Sequence, residues 1–97
     1  MADPGTDPEL QTHRERIAAN DRKLVEALNA RVHLVQHLKR YKEAKGLPFL
    51  DAAQESRVFD QVCLASEGPA SEEALRELFA TILAWTKREV ERLSTSD

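Results

Sequence analysis

The sequence predicts an all-α protein, a three-helix protomer with one long N-terminal helix that assembles as a dimer. Three observations carry this. After Pro8 no proline or glycine occurs until Gly46, an uninterrupted stretch of helix-compatible residues. Apolar residues recur at the helical period throughout the folded part. Two breaks, Gly46-Leu47-Pro48 and Gly68-Pro69, are each followed by a residue suited to cap a new helix.

The elements follow in order. Residues 1–7 are expected to form a flexible N-terminal tail, 8–93 the folded domain and 94–97 a C-terminal tail. Asp7-Pro8-Glu9 places a capping acid, a proline at the first helical position and an acid in the first turn. Lys42 and Lys45 suit the negative end of the same helix dipole, and Gly46-Leu47-Pro48 stops it near Ala44. Asp51 caps a second helix with Gln54 at capping-box spacing, and Val58, Phe59, Val62 and Cys63 form its apolar face. Ser71 caps the third, whose Leu75, Leu78, Phe79, Ile82, Leu83, Trp85, Val90 and Leu93 keep the helical period.

Composition sets the class. Ninety-seven residues make one domain with a marginal core unless chains associate. The net charge of −3 is spread over interspersed acids and bases, which presents no basic face for nucleic acid. A single cysteine, Cys63, rules out an intrachain disulfide framework and fits a reducing compartment. With no apolar run of membrane length and no signal-like start, a cytoplasmic protein that engages no membrane is expected. His33 and His37 have the spacing of a metal pair but lack a third ligand, so no metal site is expected and the pair reads as a solvated face. Lys87, Arg88, Glu89, Glu91 and Arg92 read likewise as solvated helix surface, and Cys63 as inert core.

The long helix carries the functional signal. Leu10, Ile17, Leu24 and Leu38 form one heptad series with Arg31, and Leu28 and Val35 form a second with Arg14, Asp21 and Lys42. A heptad seam faces another helix, so cations within it lose water and need anionic partners. Asp21 alone cannot neutralise three bases, so either an anionic ligand completes the set or Arg14, Arg31 and Lys42 snorkel their heads to solvent in an ordinary coiled-coil dimer. Thirty-six helical residues span about 54 Å, whereas a globule of this length has a radius of gyration of about 13 Å. The helix must therefore project from its own protomer, and a two-fold dimer covers its stripe. Arg31 and Lys42 lie about 16 Å apart along the axis and nearly co-facial, close enough for two long side chains to converge on one small dianion. Arg14 lies about 25 Å from Arg31, so it can join them only from a partner chain.

These residues resemble a known family. The run from Leu10 to Lys42, with Arg14-Glu15-Arg16-Ile17, Asp21-Arg22-Lys23-Leu24, Ala30-Arg31 and Lys42, is similar to the first helix of the all-helical, AroQ-class chorismate mutases. The similarity continues through Gly46-Leu47-Pro48, Asp51, Glu55 and Leu78-Phe79, and covers about Pro8 to Leu93. It implies an intertwined homodimer of three-helix protomers with two shared sites. Arg31, and Arg14 from the other protomer, are implied to grip the two carboxylates of chorismate, where a planar guanidinium fork outperforms a point charge. Lys42 is implied to hold the breaking ether oxygen while touching a carboxylate. Asp51 and Glu55 are implied to accept from the ring hydroxyl, and Thr86 stands where the family often places a serine.

The implied reaction is the rearrangement of chorismate to prephenate in aromatic amino-acid biosynthesis. It is intramolecular and pericyclic, so no nucleophile, general base, metal or cofactor is expected. Catalysis comes from selecting the compact conformer and from fixed donors aimed at the charge developing on the ether oxygen.

Two positions depart from the family pattern. Val90 falls where active members present a glutamine or glutamate to the ether oxygen, and Gln54 falls where many carry an arginine. Glu89 replaces the missing donor only if its helix shifts. Loss of one such donor costs about 10²–10³ in rate. The expectation is a mutase that is weak alone, is completed by an activating partner enzyme, or has been diverted to related chemistry. The alternatives are an isochorismate-pyruvate lyase of the same fold and a non-catalytic helical dimerisation or regulatory subunit.

Overall fold

The computed structural model describes residues 6–95, which form three α-helices: α1, Pro8–Lys45; α2, Ala52–Ala65; and α3, Glu72–Thr95. No strand occurs among the described residues. Of the expected tails at 1–7 and 94–97, residues 1–5 and 96–97 lie outside the described residues. Ser94 and Thr95, expected in the C-terminal tail, continue α3, and the Ser94 hydroxyl donates to the Val90 carbonyl at 2.9 Å.

The chain divides into two units, Met1–Arg31 and Val32–Asp97, with the boundary inside α1. The first unit is the leading stretch of that helix. Asp7 caps it, its Oδ1 accepting from the backbone N–H of Glu9 at 2.9 Å and of Leu10 at 3.3 Å, and so satisfies donors that a helix start leaves free. Two residues of the expected seam stand well exposed in the single protomer, Ile17 at 62% and Leu24 at 55%.

The second unit holds the rest of α1 with α2 and α3. α1 ends in a Schellman arrangement. Gly46 takes φ +69°, its N–H donates to the Glu43 carbonyl at 3.2 Å, and the Leu47 N–H reaches back to the Lys42 carbonyl at 2.8 Å. The positive φ is why glycine stands there. Asp51 Oδ1 accepts from the Gln54 N–H at 3.1 Å to start α2, and Ser71 Oγ accepts from the Ala74 N–H at 3.1 Å to start α3. α2 and α3 pack against each other, and an ion-paired Arg76 on α3 reaches Asp60 on α2 at 3.0 Å. Leu83, Thr86 and Val90 occupy one face of α3 and are buried, as is Val32 on α1. This small core fixes the face of α3 from which the candidate site is built.

Candidate active site

Phe49 organises the site. The short α1–α2 connection that carries it is held at both ends, by the Gly46 turn and by the Asp51 cap. Lys42, in the last turn of α1, donates through Nζ to the Phe49 carbonyl at 3.2 Å, and its ammonium lies 5.9 Å from the Phe49 ring centroid. Lys39, three residues earlier and hence on the same helix face, sits 5.8 Å from that ring and donates to Ser94 Oγ at 3.2 Å. Both ammonium groups are within cation–π range of the one aromatic ring.

Beside Phe49 opens a cleft of about 310 Å³, lined by Lys39, Phe49, Leu50, Lys87, Val90 and Glu91. That volume lies at the lower end of small-molecule sites. Its composition is an apolar surface of Phe49, Leu50 and Val90 flanked by two ammonium groups and the exposed Glu91 carboxylate. Such a mixture suits a small anion with an apolar ring.

Lys87 corrects the sequence reading. Expected on a solvated surface, it is half-buried and forms an ion pair with Glu55 Oε1, bringing α3 and α2 together beside the cleft. Glu55 is itself half-buried. Glu89, weighed as a replacement donor, instead accepts from Arg92 Nε at 2.7 Å on its own helix. Cys63, expected as core, is half-buried, with Sγ 4.0 Å from the Glu72 carbonyl oxygen.

The other sequence-derived candidates take varied positions. Val90 lines the cleft, yet its residue as a whole has 0% exposure. Thr86, one turn before it, is 1% exposed and donates its hydroxyl proton to the Ile82 carbonyl at 2.7 Å. Asp51 is exposed and commits an oxygen to its cap. Gln54 is exposed, and its Oε1 accepts from Arg57 Nη1 at 3.0 Å. In the first unit Arg14 is exposed, whereas Arg31 is half-buried and loss of water lowers its pKa from the usual guanidinium value. Any anion bound by Arg31 offsets that desolvation.

Sequence reasoning missed Phe49, Lys39 and Lys87. The legible signal for Lys87 was its place on α3 beside Thr86 and three residues before Val90. Its pairing with Glu55 depends on how α2 and α3 pack, which no local pattern encodes. Among the described residues, no cluster of His, Cys, Asp and Glu is arranged to hold a metal ion, and no helix is long and apolar enough to cross a membrane.

The comparisons with known proteins agree with the helical architecture. One form of the chorismate mutase from Thermus thermophilus is 27% identical, with a TM-score of 0.80 over 87% of this chain and 96% of that one. A second form of that enzyme is also 27% identical, with a TM-score of 0.77 over 80% of this chain and 98% of that one. Among curated proteins none matches in sequence. A family model described as chorismate mutase type II matches residues 13–91, most of the folded region, and the chain belongs to that family.

Proposed function

We propose that the chain rearranges chorismate to prephenate, the isomerisation characteristic of its family, in the cleft beside Phe49. The observation that carries this reading is the cationic, partly apolar cleft of about 310 Å³ in a chain of chorismate mutase type II sequence. Apolar walls lower the local dielectric and strengthen fixed donors, and conformer selection needs only a shaped, charged surface.

The residue roles rest on the family resemblance. Arg31, and Arg14 from a second copy, bind the substrate carboxylates. Lys42 binds the ether oxygen and a carboxylate. Glu55 and the backbone around Asp51 take the ring hydroxyl. Thr86 contacts a carboxylate after rotating its hydroxyl from the Ile82 carbonyl. Gln54 and Val90 complete the pocket as substrate contacts without charge.

A homodimer with shared sites supports those roles. The exposed apolar residues Ile17, Leu24, Val25, Leu34, Leu38 and Tyr41 on α1 offer it a surface. We place the protein in the cytoplasm, in keeping with its single cysteine and its biosynthetic reaction.

Val90 supports a second clause of the proposal: its side chain donates nothing, so full activity needs a donor from elsewhere, either an activating partner enzyme or another residue of the cleft. Steady-state consumption of chorismate by the purified dimer, with identification of prephenate as product, tests the reading. Release of pyruvate from isochorismate without turnover of chorismate would replace it with the lyase.

A further inference from the structure

We propose that Lys87 is a catalytic residue of this mutase, donating to the substrate's ether oxygen in place of the side chain that Val90 lacks. The inference rests on the cleft being the mutase site. Lys87 and Val90 are three residues apart on α3, which puts both on one face, and both line the cleft. Val90 has no polar side-chain atom. Lys87 has three N–H donors, of which the Glu55 carboxylate takes one. Two remain for a ligand.

Glu55 gives the donor its direction. An ammonium on a free four-carbon stem loses rotamer freedom when it binds, whereas one already paired at the cleft is oriented before substrate arrives. Phe49, Leu50 and Val90 line the same cleft with apolar surface, which reduces the competition of water for a hydrogen bond to a developing negative charge. Glu91, the one acid lining the cleft, is exposed, so solvent screens its charge. The neighbouring Lys39 is directed toward Ser94 and the Phe49 ring. Lys87 is therefore the cleft-lining cation on the same α3 face as position 90.

The chemistry balances without another reactant. The ether C–O bond breaks as the new C–C bond forms within the same molecule, and no atom enters or leaves. Electron density rises on the ether oxygen in the transition state, and Lys87 stabilises it through a hydrogen bond that strengthens as the bond lengthens.

Steady-state kinetics with chorismate test the proposal on wild type, Lys87→Met, Lys87→Arg and Glu55→Gln/Lys87→Met, the last compared with Glu55→Gln. Circular dichroism and sedimentation confirm that each is folded and assembled. Lys87→Met is expected to lower kcat about 10²–10³-fold with KM within threefold, as for removal of one oxyanion donor. Lys87→Arg retains a donor and stays within tenfold of wild type. The loss on Lys87→Met persists in the Glu55→Gln background, reduced only by the orientation Glu55 supplied, because Lys87 touches the substrate itself. A folded Lys87→Met enzyme with kcat within threefold of wild type overturns the proposal while leaving the mutase reading intact. A loss confined to KM, or one that vanishes in the Glu55→Gln background, also overturns it. Wild type that leaves chorismate unchanged overturns the mutase reading and this proposal together.

Discussion

Lys87 on α3 and Glu55 on α2 form an ion pair beside the cleft, both side chains half-buried. Partial exposure limits what the pair contributes to folding, on the order of 0.2–1 kcal/mol for pairs in solvent contact. Lys87→Met should therefore shift Tm by only a few degrees, about 4–8 °C per kcal/mol for a domain of this size. Calorimetry checks this. A much larger drop would give the pair a structural role that its exposure does not allow.

Lys42 is joined to the α1–α2 connection through the Phe49 carbonyl. Its substitution removes a restraint on the connection that carries Phe49 and, in the proposed mechanism, a substrate contact. Lys42→Ala should lower kcat at least as strongly as kcat/KM. A variant within threefold of wild type in steady-state assays would remove Lys42 from the proposed machinery.

Arg14→Ala and Arg31→Ala should each abolish turnover, since both guanidinium groups are assigned to substrate carboxylates. Mixed dimers of the two variants regain one intact pocket in two if each pocket draws Arg14 and Arg31 from different chains. Activity after co-refolding the variants measures this, and a mixture as inactive as its parents would refute shared sites.

Val90 is buried with 0% exposure, so adding a polar side chain there has a structural consequence. Val90→Gln should destabilise the protein by about 1–3 kcal/mol where the buried amide finds no partner. Thermal melts read the loss. With Lys87 supplying the donor, kcat should rise little; a large gain in a well-folded variant would return the donor's role to position 90.

Exposed residues on α1, among them Ile17 at 62% and Leu34 at 68%, predict a dimer that separates only on unfolding. Sedimentation equilibrium showing a folded monomer at micromolar concentration would contradict it.

The helices were legible because their signals are local. Asp7, Asp51 and Ser71 cap where the sequence places them, and Gly46 terminates α1 with the positive φ that its residue type permits. Each of these features needs only neighbours within a turn or so. The site was legible only in part. Val90, expected as a substrate contact, lines the cleft proposed as the site, whereas Lys87 was assigned to solvent because its partner Glu55 lies on another helix. Phe49 gave no periodic signal, since it belongs to a connection, and its role appears only once Lys39 and Lys42 converge on it. Local chemistry sets the elements; the charges of the cleft are set by how those elements meet.

The most direct measurement is the fate of chorismate with the purified protein, followed by ultraviolet absorbance with the product identified by NMR and pyruvate assayed in parallel. The account predicts stoichiometric prephenate, no pyruvate, a rate above the protein-free reaction, and loss of that rate in Arg31→Ala. Chorismate consumed no faster than without protein, or pyruvate appearing in place of prephenate, would contradict it.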